Sequence, residues 1–387
     1  MIRTCITVAG AAATACDGQP HSSPPSASTC ASTVASASPA RRPRACIDNE
    51  LLSDTCNHPL MKLATYRDGS RDGQLVVVSR DLSTAHYASG IATRLQQVLD
   101  DWNFLSPQLQ ELSQTLNHGK ARHAFAFEPS HCMAPLPRAY QWADGSAYPN
   151  PLARARQPQG AEAPERAITD PLIVQAASDA LLGPCADIVC ASEAHGIDFG
   201  AELAVITGDV SMGIGADDAL EGIRLLMLAN AVTLRTLVAA AHASAVGSSQ
   251  SRCATACGPV AVTPDELGAA WQGGRVHLNL ECVWNSRRVG LPDAGPEMAF
   301  HFGQLIAHMA HTRNVRAGSV VGSGVVRNQD GSRGFACIAE KRALETLASG
   351  APTTGFMRFG DTIRIDMKGA DGMSVFGAIA QRVAAPG

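Results

Sequence analysis

The first 60 residues lack what a folded core needs, and that fixes where folding begins. Segments such as Ser22-Ser23-Pro24-Pro25-Ser26-Ala27-Ser28 and the run from Ser32 to Pro39 are rich in Ser, Ala and Pro and hold almost no large apolar side chain. Such a stretch buries too little surface to offset its chain entropy. Residues 1–60 are therefore read as a disordered or spurious extension. Met61-Lys62-Leu63-Ala64-Thr65-Tyr66 reads as a natural start.

The remainder can build at least one substantial core. The chain has 387 residues, 45% hydrophobic, with 35 glycines, which suggests two or three domains. A net charge of −4 leaves no basic footprint, which argues against nucleic acid or an anionic membrane as partner. No apolar run reaches the ~18–20 residues of a membrane span. Five of the twelve cysteines lie in the first 56 residues. Cys185 with Cys190, and Cys253 with Cys257, lack a second Cys/His pair at zinc-finger spacing. The body reads as cytoplasmic, with reduced thiols.

Gln74–Ser79 is an apolar strand after the turn Arg71-Asp72-Gly73. Ile91, Leu95, Leu99 and Trp102 fall at helical spacing. A second helix is expected from a Ser106 cap with Pro107 at its first position, ending at Gly119. Residues 61–134 thus form a small α/β unit, and Pro135–Pro137 a linker. From 138 to 385 the pattern is strand-rich, with strands expected at Ala201–Thr207, Val276–Trp284, Ser319–Val326, Cys337–Leu344 and Thr362–Lys368. Helices are expected at Asp217–Ala229 and His301–His311. Thr263-Pro264-Asp265-Glu266 reads as a capping box opening a short helix to Trp271. Gly318-x-x-x-Gly322-x-Gly324 lacks the Lys-Ser/Thr of a phosphate loop, and His308 and His311 read as surface residues.

Seven segments together carry a family resemblance. They are Met61–Asp81, Leu136–Tyr148, Ile197–Ile206, Thr263–Leu267, Gly318–Gly324, Cys337–Glu340 and Arg358–Gly377. In order and spacing this set resembles a bacterial two-domain member of the fumarylacetoacetate hydrolase family. The resemblance implies an α+β, β-rich fold: a small N-terminal α/β domain, then a mixed β-roll of the fumarylacetoacetase type, usually in a homodimer. It also implies hydrolysis of a carbon–carbon bond in fumarylacetoacetate-like or acylpyruvate-like β-diketo acids, as in the breakdown of aromatic compounds. Mg²⁺ or Ca²⁺ would stabilise developing negative charge, held by carboxylates. A base would activate water, and hydrogen-bond donors would hold the oxyanion.

Carried over position by position, the resemblance gives Asp144 and Glu202 as metal carboxylates. The other two metal positions hold Gly200 and Ala231. Arg235, Arg252, Ser323 and Gly324 fall at substrate-binding positions, with Arg252 standing where the family has Lys. Glu340 matches a family acid near the site and is the catalytic candidate. The histidine position is Pro151, the threonine after Gly-Ser-Gly is Val325, and a substrate-contacting tyrosine is Val174. Loss of two metal carboxylates costs at least ~10²–10⁴-fold by comparison with outer-shell losses, and loss of the base another ~10²–10⁴-fold. Two readings follow: a metal-dependent hydrolase, or an inactive homologue that keeps the fold and weak ligand or metal binding. Residues 149–168 and 239–253 keep the family's length but not its residues, as compensating frame changes in the coding sequence would leave them.

Overall fold

The computed structural model describes residues 60–148, 170–238 and 249–387. Pro151 and most of the two divergent stretches lie outside these residues. So does the extension up to residue 59.

An eleven-stranded sheet organises the described chain. Its strands are β1 (Lys62–Tyr66), β2 (Gln74–Val78), β3 (Thr84–Tyr87), β4 (Phe125–Ala126), β5 (Gln141–Gly145), β6 (Ile173–Ala176), β9 (Ala201–Thr207), β10 (Ile223–Asn230), β12 (Ala256–Cys257), β13 (Ala261–Val262) and β18 (Ser319–Gly322). The order is β4-β3-β2-β1-β13-β10-β9-β18-β5-β6, with β12 beside β10. A five-stranded sheet runs in the order β17-β16-β19-β20-β7, formed by β7 (Ile188–Val189), β16 (Leu280–Trp284), β17 (Arg287–Gly290), β19 (Thr362–Met367) and β20 (Ile379–Ala384). Two short ribbons pair β8 (Ile197–Asp198) with β11 (Thr233–Leu234), and β14 (Trp271–Gln272) with β15 (Arg275–Val276). The helices are α1 (Leu95–Asp100), α2 (Trp102–Asn117), α3 (Phe302–Met309) and α4 (Ile338–Ser349). The β-rich α+β expectation therefore holds, and neither large sheet closes into a barrel among the described residues.

Period-2 alternation decides which side chains meet at the centre of the large sheet. All seven residues of β9 are buried. Leu203 and Val205 point into one core with Leu226, Leu228 and Val321. Ala204 and Ile206 point into the other with Met227, Trp142 and Val320. Glu202 shares the face of Ala204, and Asp144 shares the face of Trp142. Asp144 stands opposite Gly322 of β18, which stands opposite Ala204 of β9. The two acids thus lie on one face, separated by a strand that carries glycine at that point.

Five expected elements differ. The segment from Asp217 is a 3-10 turn at Asp218–Gly222 followed by strand β10. The run Ile-Arg-Leu-Leu-Met-Leu-Ala-Asn is apolar on both faces because neighbouring strands and both cores cover it. Ile338–Ser349 is helix α4, not a strand, because Asp198 caps its first turn. α2 starts at Trp102 and holds Pro107 inside it, at the cost of the bond Pro107 would donate to Asn103. Thr263 makes no side-chain cap, and the helix after it is 3-10; its hydroxyl accepts from the Met61 amide at 3.1 Å instead. The 276–284 stretch divides into β15 and β16. No described helix is long and apolar enough to cross a membrane.

Candidate active site

A cavity of about 190 Å³ opens at the end of β5, β11 and β18. It is lined by Asp144, Arg235, Arg252, Arg327, Val325 and Cys337 among others. Three carboxylate–guanidinium pairs meet it. Arg252 Nη1 donates to Asp144 Oδ2. Arg235 Nε donates to Asp198 Oδ2 at 2.7 Å. Arg327 Nε donates to Glu340 Oε1 at 2.9 Å.

Each pair has a local cause. Asp198 sits on β8 opposite Thr233 of β11, so Arg235, two residues past Thr233, reaches back across the ribbon. Asp198 also accepts from the amides of Ile338 at 2.6 Å and Ala339 at 3.1 Å. An anion at a helix N-terminus satisfies donors that have no partner inside the helix. Glu340 lies in the first turn of that same helix and is 6% exposed. Burial pushes its carboxyl above the usual range, with Arg327 opposing.

Glu202 is the anomaly of the site. It is fully buried, and neither carboxyl oxygen meets a donor at good hydrogen-bonding geometry, although the Asp144 carboxyl and the Gly324 backbone lie against it. Burial, reinforced by the charge of Asp144, pushes its carboxyl well above the usual range, against the pull of Arg252. Asp144 Oδ1 is likewise unpartnered. Burying an unpaired charge is costly, which favours the protonated form of Glu202 to higher pH than usual.

The remaining residues behave unevenly. Ser323 and Gly324 line the cavity, but the Ser323 hydroxyl is engaged by the backbone, donating to Gly324 O at 2.7 Å and accepting from Leu203 N at 3.3 Å. Gly324 has φ +71°, and a Cβ there would collide with the Gly145 carbonyl oxygen. Val325 and Ala231 also line the cavity, whereas Val174 is surface-exposed on β6. Cys337 is buried, as expected, but stands at the N-cap position of α4, with no side-chain cap bond, rather than lying in a strand. His308 and His311 lie on a different, larger cavity of about 610 Å³. Sequence reasoning assigned no role to Asp198 or Arg327. The only signal for Asp198 was an acid just before a buried strand.

Gly200 is hemmed in by backbone. A Cβ there would approach Ala231 O at 2.7 Å and Val325 Cγ2 at 3.2 Å. Gly200→Ala is expected to destabilise the protein by about 1–3 kcal/mol, as overpacking does, read as a lowered denaturant midpoint. An unchanged midpoint would mean that the strand end yields freely.

The family model for the fumarylacetoacetase N-terminal domain 2 matches residues 61–138. The model for the C-terminal domain of fumarylacetoacetate (FAA) hydrolase matches residues 141–384. The chain belongs to the fumarylacetoacetate hydrolase family. Solved structures support the fold. Fumarylacetoacetate hydrolase from psychrophilic Exiguobacterium antarcticum is 15% identical, with 84% of this chain and 100% of that one covered at a TM-score of 0.57. Maleylpyruvate hydrolase from Sphingobium sp. SYK-6, in complex with manganese(II) and pyruvate, is 14% identical over 84% and 100% at 0.57. The 2-hydroxyhepta-2,4-diene-1,7-dioate isomerase from Mycobacterium marinum is 14% identical over 85% and 99% at 0.53. No curated protein matches the chain.

The family implies a divalent cation, and the donor set tests that. Asp144 and Glu202 offer unpartnered oxygens on one face. Gly200 and Ala231 offer no side-chain donor, and the guanidinium of Arg252 lies against Asp144. Among the described residues no group of three or more His, Cys, Asp or Glu could hold a metal ion. As placed, these residues do not fit a resident divalent cation.

Proposed function

We propose that this cavity takes small β-diketo acids of the acylpyruvate or fumarylacetoacetate type, and that the chain is a family hydrolase whose carbon–carbon hydrolysis is strongly reduced. The three guanidinium groups around one cavity carry this reading. Each engages a carboxylate through one nitrogen, and a guanidinium has five N–H donors in a fixed fork. Remaining donors suit the carboxylate and keto oxygens of such a ligand. Glu202 is a weak candidate for the base, because burial and Asp144 hold its proton to higher pH than usual. The reduced activity follows from Pro151, Gly200 and Ala231, none of which supplies a base or a carboxylate.

Calorimetry with oxalate in EDTA, followed by an acetopyruvate hydrolysis assay with added Mg²⁺, Ca²⁺ or Mn²⁺, tests both halves. Oxalate is expected to bind without metal. Hydrolysis is expected to fall ~10²–10⁴-fold below a family enzyme assayed alongside, the loss that removal of a general base brings. Metal-dependent turnover at the family enzyme's rate would instead make Asp144 and Glu202 working ligands of Mg²⁺ or Ca²⁺.

A further inference from the structure

Two thiols that the sequence separates by 63 positions touch beside the cavity. Cys190 Sγ and Cys253 Sγ are 3.2 Å apart and share a hydrogen bond. Cys190 follows β7 and is 3% exposed, its amide bonded to Ala384 O at 3.0 Å. Cys253 is half-buried and held by a bond from its amide to Val232 O at 3.2 Å. The residue before it is Arg252, which bridges to Thr233 and holds Asp144. Each thiol belongs to a different one of the two close-spaced sequence pairs, so the contact crosses them.

We propose that Cys190 and Cys253 are a reversible dithiol–disulfide couple that controls Arg252. The inference goes beyond the ligand-binding reading, and its first readout is independent of it. The sulfurs need to close by only ~1.1 Å to reach a disulfide bond of ~2.05 Å. Contact between the two sulfurs sets this pair apart from the neighbouring cysteines. Cys132, Cys257, Cys282 and Cys337 are buried, and burial pushes each thiol up, to about 12 for Cys257 and Cys337. Buried, fully protonated thiols are poor nucleophiles. In the pair, the shared hydrogen bond lowers the Cys190 thiol and raises that of Cys253, so the thiolate rests on Cys190 and the proton on Cys253.

A small-molecule disulfide such as oxidised glutathione supplies the oxidant. The Cys253 proton passes to Cys190 across the shared hydrogen bond, and the half-buried Cys253 thiolate attacks one glutathione sulfur, forming a mixed disulfide and releasing one glutathione thiolate, which takes the proton from Cys190. The Cys190 thiolate then attacks the Cys253 sulfur, closing the protein disulfide and releasing the second glutathione. Two protein thiols are oxidised, one glutathione disulfide is reduced, and the two thiol protons end on the two glutathiones. The closed bond ties the backbone beside Arg252 to the segment after β7, which restrains the guanidinium against Asp144.

The test uses the full chain, incubated with oxidised glutathione in native buffer, alkylated, digested and mapped by mass spectrometry. A peptide pair linked through Cys190 and Cys253 is expected, lost on treatment with dithiothreitol. In the Cys190→Ser variant, Cys253 is expected to remain as a mixed disulfide with glutathione. Absence of the linked pair, or its appearance only in urea, overturns the couple. In the linked protein oxalate affinity is expected to fall about fivefold or more, a typical coupling between sites, and to recover with dithiothreitol. Unchanged affinity overturns the control of Arg252. If oxalate fails to bind even the reduced protein, the ligand-binding reading falls, while the mass map still decides the couple.

Discussion

Asp198→Ala is expected to cost about 3–5 kcal/mol of stability, the range for breaking a buried ion pair from one side. Asp198 is fully buried and carries three contacts: Arg235 Nε at 2.7 Å, and the amides of Ile338 and Ala339. Removing it leaves the first amides of α4 without an acceptor and Arg235 without its counter-ion. Arg235 is 30% exposed at its side chain, so water can reach it in part, which favours the lower end. Asp198→Asn separates the causes. The amide oxygen can still accept from the helix N-terminus but leaves Arg235 unpaired, so its loss should be smaller. Denaturant unfolding of the three proteins checks this. Equal stability of Asp198→Ala and the parent would remove Asp198 from the scaffold of the site.

Glu202→Gln is expected to stabilise the protein, increasingly so as pH rises, in EDTA. The Glu202 carboxyl is raised in the fold by burial first and by Asp144 second, with Arg252 opposing and Cys257 close by. The unfolded chain releases this proton near the ordinary ~4.3 of glutamate, whereas the native state keeps it to higher pH. Between those two values the native state binds more protons than the unfolded one, so stability falls with rising pH. The loss is about 1.4 kcal/mol per pH unit for one proton. Glutamine has no proton to lose, so the variant gains little at pH 4 and progressively more towards pH 8. Parallel pH profiles for the two proteins would show that Glu202 ionises normally, and the polar cavity around it would need another description.

Much of the fold was legible because strands with one apolar pattern announce themselves. Gln74–Val78, Ala201–Thr207 and Thr362–Met367 were read at nearly their observed bounds. β10 was not, because a strand covered on both faces loses its alternation, and Leu220, Ile223 and Met227 then mimic a helical stripe. α4 was missed for the opposite reason: its first turn, Ile-Ala-Glu, is short and apolar, and its cap comes from Asp198, 140 positions away. The site shows the same division. Asp144 and Glu202 could be assigned a common site because family motifs flank them, and the observed register puts them on one face. The contact of Arg252 with Asp144 spans 108 positions, and no local pattern encodes it. Asp198 was visible only as an acid just before a buried strand.

The parallel pairing of β5 with β18 has a consequence for how the molecule is made. Asp144 finds its neighbour Gly322 only after 177 intervening residues have been synthesised. A parallel pair with so long a crossover is slow to form, because closure entropy precedes any reward from contact. Until β18 arrives, the edge of β5 that it covers has no neighbouring strand, and exposed strand edges invite association between chains. Yield of this protein should therefore depend on chaperone supply and growth temperature more than on the equilibrium stability of the finished sheet.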